Sequence, residues 1–126
     1  MAENKDYLSI NVNGGGVNIA EDVIASIAST AALEVKGVLN MASTLASDIA
    51  SGILGKKNPS KGVKIVFDKD GGFEITIGII VEFDSRIPEV AKAVQEKVAE
   101  AILNMTGHNA AQININVAGV AQRKEV

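Results

Sequence analysis

Apolar and polar positions alternate along this chain with two distinct periods, one of a strand and one of a helix. Leu8, Ile10 and Val12 alternate with Ser9 and Asn11, which predicts a short strand. Asn13-Gly14-Gly15 follows, residues that tolerate the positive φ of a tight turn. Val17 and Ile19 then read as a second short strand. The region is either a hairpin or one strand followed by a loop. From Glu21 the period changes. Val23, Ile24, Ile27, Ala28, Ala31 and Val35 recur at three and four, which predicts a helix with one apolar stripe. Glu21 and Asp22 suit its first turn, and Gly37 suits a left-handed position after its end. Val38 to Met41 is a strand or a loop.

Leu45, Ile49 and Ile53 are spaced by four, which predicts a short amphipathic helix over 43–57. A Gly/Lys/Asn/Pro/Ser connector runs from Gly55 to Gly62. Val63, Ile65 and Phe67 alternate as a strand, and Asp68 to Gly72 is a turn. The next strand has the clearest period in the chain. Phe73, Ile75, Ile77, Ile79, Val81 and Phe83 fall on one face, and Glu74, Thr76, Gly78, Ile80 and Glu82 on the other. Such a strand belongs to a sheet with one face in the core and one mostly wet. Pro88 suits the start of a second long helix, whose stripe is Val90, Val94, Val98, Ala101, Ile102 and Met105. Gly107 stops it. Gln112, Asn114 and Asn116 alternate with Ile113, Ile115 and Val117 in a last strand.

The order is β-α-β-β-α-β, with an extra hairpin and a small inserted helix as options. Two long helices on one face of a four- or five-stranded sheet give a two-layer α+β sandwich. A ferredoxin-like split βαβ arrangement is compatible with this order. The chain divides into an N-terminal strand region (1–13), one α+β domain (14–120) and a polar tail (121–126).

Composition narrows the chemistry. The chain has 126 residues, 47% of them apolar but only 3% aromatic, so one aliphatic core is expected. A net charge of −3 with one Tyr and three Phe argues against nucleic-acid binding, which needs a basic face and stacking aromatics. The absence of cysteine excludes disulfides, thiolate metal sites and cysteine nucleophiles. MAENKDYLSI has no apolar h-region, and no apolar run approaches the ~20 residues of a membrane span. A cytoplasmic protein without direct membrane insertion is the expectation.

No catalytic constellation emerges. Gly14-Gly15-Gly16 lacks the third glycine of a dinucleotide fingerprint, where Ile19 stands, and the Lys-Ser/Thr of a P-loop, so a hairpin turn is favoured. Asp68 and Asp70 open like a calcium loop, but Ile79 occupies the position that needs Glu. His108 follows Gly107 at a helix C-terminus and suits capping rather than catalysis. Glu74 and Glu82 are eight residues apart on one strand, roughly 27 Å at full extension, too far to act on one substrate. No cofactor or metal is expected.

Two features remain as candidate interaction surfaces. One is the polar sheet face with Glu74, Thr76, Glu82, Gln112, Asn114 and Asn116, where Ile80 favours contact over simple wetting. The other is the stripe of Leu45, Ile49 and Ile53 beside Lys56-Lys57. It docks on the domain, on a partner, or on a membrane surface, the last being weakest because its polar side is mainly Ser, Thr and Asp.

The run GGVNIAEDVIASIASTAALEVKGV resembles the opening of the alkaline shock protein family, envelope stress response proteins of Gram-positive bacteria. The second half is similar too, with the strand pair leading through Ile87-Pro88-Glu89-Val90 to a helix ending Met105-Thr106-Gly107, then the alternating last strand and Gly119-Val120. The resemblance covers about 14–120. It implies a non-enzymatic protein of cell-envelope homeostasis, with self-association and membrane-proximal placement through a membrane-anchored partner protein. It brings no catalytic residues. A small RNA- or nucleotide-binding module is the alternative, because domains of this order often present a sheet face to RNA.

Overall fold

The computed structural model describes residues 7–42, 62–69 and 71–122. Asn13 and Gly14 both take positive φ, 46° and 81°, as a two-residue I′ turn requires. β1 (Tyr7–Val12) and β2 (Gly15–Ala20) accordingly pair antiparallel, so the hairpin is the alternative that forms. It makes its own two-stranded sheet. Leu8 is buried, Ile10 and Ile19 pack beside it on the core, and Val12 and Val17 at the turn end are exposed. A ferredoxin-like arrangement would carry a strand from ahead of the first helix into the main sheet. Here those two strands pair with each other instead.

α1 (Glu21–Leu33) starts at Ala20 without a side-chain cap. Its buried side is Ile24, Ala25, Ala28, Ala31 and Ala32. The sequence stripe included Val23, which is 48% exposed. The apolar sector is wider than one stripe, and the helix turns its alanine flank inward. Small side chains let it sit close to the sheet and to the second helix. The helix also ends earlier than the period suggests. Val35 lies beyond it, in a turn where Glu34 N–H donates to Ala31 and Val35 N–H to Ala32. Gly37 takes φ 102° inside that turn, further from the helix than a C′ residue.

β3 (Val38–Met41), β4 (Val63–Phe67), β5 (Phe73–Glu82) and β6 (Gln112–Ala121) form the main sheet. β6 runs parallel to β5 from Glu74 to Glu82 and holds one edge of it throughout. β3 and β4 therefore share the opposite edge, antiparallel, β4 along Phe73–Ile77 and β3 along Ile79–Val81. Gly78 is the junction: its carbonyl accepts Ala42 N–H at 2.9 Å and its N–H donates to Gly62 at 2.8 Å. The two short strands are one strand line, which the chain leaves at Ala42 and rejoins at Gly62. The predicted 43–57 helix, with Leu45, Ile49 and Ile53, belongs to that excursion and lies outside the described residues.

Rejoining beside Ala42 demands glycine at residue 62. Its φ is 84°, and a Cβ there would stand 2.9 Å from the Ala42 carbonyl oxygen and 3.1 Å from Met41 Cβ. Gly62→Ala is expected to cost about 1–3 kcal/mol, the range for a non-glycine residue held in the left-handed region. Chemical denaturation reads it as a lower midpoint at unchanged slope.

α2 (Ile87–Thr106) begins one residue before Pro88 and ends at Gly107, whose φ of 77° and N–H bond to Leu103 close the last turn. Val90, Val94, Val98, Ile102 and Thr106 are its buried positions. Met105 was expected in that stripe but is 68% exposed, because Thr106 turns inward and bonds the Ile102 carbonyl at 2.8 Å. Both helices cover the face of β5 that carries Phe73, Ile75, Ile77, Ile79 and Val81, all essentially inaccessible. Phe83, expected on the same face, lies past the end of β5 and is 58% exposed. The result is the α+β two-layer arrangement the pattern implied, with a four-stranded sheet.

Candidate functional site

Because both helices lie on one side, the other side of the sheet has no covering layer among the described residues. The register fixes what it displays. Lys64, Thr76 and Asn114 form one row across β4, β5 and β6, and Val66, Glu74 and Gln112 form the next. Gly78 stands beside Asn116, Ile80 beside Gly119 and Glu82 beside Ala121. Asn40 of β3 completes the Ile80 row. The structure thus brings together all seven sheet positions read from the sequence: Glu74, Thr76, Ile80, Glu82, Gln112, Asn114 and Asn116.

Several members were missed. Lys64 and Val66 are exposed here, and the alternation of Val63, Ile65 and Phe67 was enough to find them. Asn40 was not readable, because the register slips between Val38 and Asn40. Gly119 was hidden by a second slip, opposite Ile79/Ile80, which reverses the alternation of β6 after Val117. That slip gives Ile80 a local partner. A Cβ on Gly119 would lie 3.2 Å from Ile80 Cδ1, so the isoleucine lies over the glycine and fills its place. Ile80 is half-buried in this way.

The polar groups on the face are amides, a hydroxyl, carboxylates and one ammonium, with Val66 exposed among them. Asn114 Nδ2 donates to Thr76 Oγ1 at 3.5 Å, a long and weak bond. Among the described residues no group of three or more His, Asp or Glu side chains could hold a metal ion. The other sequence candidates that are described make local hydrogen bonds. Asp68 Oδ1 accepts the Gly72 N–H at 3.0 Å and tightens the β4–β5 turn; Asp70 lies outside the described residues. His108 N–H donates to Thr106 Oγ1 at 3.1 Å, which ties it to the end of α2. What the face can do is exchange hydrogen bonds with another surface.

The profile of the alkaline shock protein 23 family, described as having a cell envelope-related function, matches residues 9–122. The chain belongs to this family. The match takes in both helices and all four strands of the main sheet. Curated relatives agree. The chain is 41% identical over 106 residues to the uncharacterized protein YqhY of Bacillus subtilis, covering 84% of this chain and 77% of that one. It is 34% identical over 116 residues to the uncharacterized protein YloU of the same organism, covering 90% and 94%. It is 32% identical over 114 residues to the uncharacterized protein Spy1614 of Streptococcus pyogenes, covering 90% and 93%. No solved structure matches significantly. The alkaline shock family thus supplies the envelope relation. No described helix is long and apolar enough to cross a membrane.

Proposed function

We propose that this chain is a non-enzymatic envelope-stress protein that works by docking, through self-association or onto a membrane-anchored partner. The observation that carries the reading is the sheet face left uncovered among the described residues, which is continuous across three strands and displays amide, hydroxyl and carboxylate groups. The family's cell envelope-related function supports docking close to the membrane, which we assign to its cytoplasmic side. A net charge of −3 favours protein partners over an anionic lipid surface. The same balance disfavours RNA, and the open face offers amides and carboxylates where RNA binders present aromatic rings and cations.

Imaging of a tagged chain in a Gram-positive host tests the reading, together with deletion of its gene under alkaline or envelope stress. Enrichment at the cell periphery and a stress phenotype are the expected results. Diffuse signal with no phenotype would reject the proposal.

A further inference from the structure

The two edges of the main sheet are unlike. The β3/β4 edge is broken at Gly78 and carries the exposed Lys64. Interruption and lysine are the devices by which proteins keep an edge from pairing. The β6 edge has neither over its first six residues. Gln112 to Val117 contains no charge, no proline and no glycine, and among the described residues it pairs only with β5. Its helix-side residues are incompletely covered. Ile75, Ile77 and Ile79 of β5 are fully buried, whereas their neighbours Ile113, Ile115 and Val117 are only partly so.

We infer that this edge pairs antiparallel with the same edge of a second copy, which joins two sheets into one. The inference rests on the self-association branch of the function proposed above. The sequence of β6 makes it self-complementary. A two-fold axis perpendicular to the sheet keeps the helices of both copies on one side, so like faces must meet. Within Gln112–Val117 the register centred on Ile115 does this. Ile113 falls opposite Val117 of the other copy, Asn114 opposite Asn116, and Ile115 opposite itself. Apolar meets apolar on the helix side, and amide meets amide on the open side. No like charges are brought together, the usual penalty when a strand pairs with itself. The Gln95 amide, which donates to the Ile113 carbonyl at 2.9 Å, shares or yields that oxygen on pairing. The bulge after Val117 ends the match.

Six residues make a contact only ~20 Å long. With a layer of strand and helix ~20 Å deep, about 400 Å² per partner is covered, roughly half of a standard interface. The dimer is therefore concentration-dependent rather than permanent.

The test combines mass measurement across protein concentration with amide exchange. The expected result is a rise from monomer to dimer mass, with slowed exchange confined to 112–117. Asn114→Lys with Asn116→Lys sets two lysine pairs face to face and should weaken the dimer at least tenfold at an unchanged melting temperature. Val23→Arg, on the exposed flank of α1 and away from both β6 and the open face, should leave it intact. Should the double-lysine chain fail to fold, Ile115→Cys decides. In a chain without native cysteine it should form a disulfide-linked dimer under mild oxidation, because paired strands place opposed Cα atoms within disulfide range. A chain that stays monomeric at every concentration overturns the pairing and the self-association branch, and leaves partner docking to the imaging result. A dimer with unprotected 112–117 amides, untouched by the lysines, overturns this edge alone.

Discussion

Phe73→Ala should lower the unfolding free energy by about 3–5 kcal/mol, the usual cost of emptying a buried phenylalanine site. For a domain of this size that corresponds to a fall of roughly 10–20 °C in melting temperature. Phe73 is 1% exposed and opens β5, where it pairs with Phe67 across the turn. The two rings sit 6.1 Å apart at a 53° tilt, a favoured aromatic geometry. Phe67 is the neighbouring ring, and it is already packed against the core from β4. The core cluster that Phe73 belongs to is otherwise rich in β-branched isoleucines and valines, which are stiff at χ1 and collapse poorly. Phe83→Ala is the matched control. That ring lies beyond the strand and is mostly exposed, so its loss should change stability by no more than ~0.5 kcal/mol. Thermal melts of the two variants side by side make the comparison. Equal losses would place Phe83 in the core and contradict the strand end at Glu82.

Gly37→Ala comes next, at about 2–4 kcal/mol, as a left-handed backbone penalty and an overpacking penalty combine. The sequence alone supports only ~1 kcal/mol, the conformational preference of glycine. Packing raises the figure. A Cβ on Gly37 would lie 2.8 Å from Val90 Cγ2 and 3.4 Å from Ser85 Oγ. Val90 is buried in the first turns of α2 and cannot swing aside without entering the core. The Gly37 carbonyl also accepts the Glu82 N–H at 2.8 Å, which holds this turn against the end of β5. The substitution therefore pushes α2 away from the sheet as well as straining the backbone. A melting curve within a degree or two of wild type would contradict the close approach. An additional Val90→Ala should recover part of the loss, since it removes the clashing methyl.

Much of the fold was legible because its signals are local. The alternation of β5 from Phe73 to Val81 fixed which side is core and which is open, and every open-side residue it named lies there, while Phe83 beyond it does not reach the core. The Asn13-Gly14 turn and the Gly107 stop are written in residues whose backbone freedom the geometry needs. Features set by long-range register were not legible. The slip near Leu39 and the bulge after Val117 decide whether Asn40 and Gly119 share the open face, and no local pattern announces a slip. Nor could a period show that β3 and β4 lie on one edge of β5, meeting at Gly78. The stripe of α1 misled at Val23 because alanines on the other flank score weakly as apolar yet pack best where helix and sheet come close.

The docking role of the open face stands on the placement of seven residues, and one comparison tests it directly. Thr76 lies at the centre of the face, between Lys64 and Asn114. Thr76→Arg adds bulk and charge there while leaving the helix side of the sheet untouched. The tagged wild-type chain and this variant are imaged in the same Gram-positive host at matched expression and melting temperature. The account predicts peripheral signal for the wild type and diffuse signal for the variant. Peripheral signal that persists in the folded variant would contradict it.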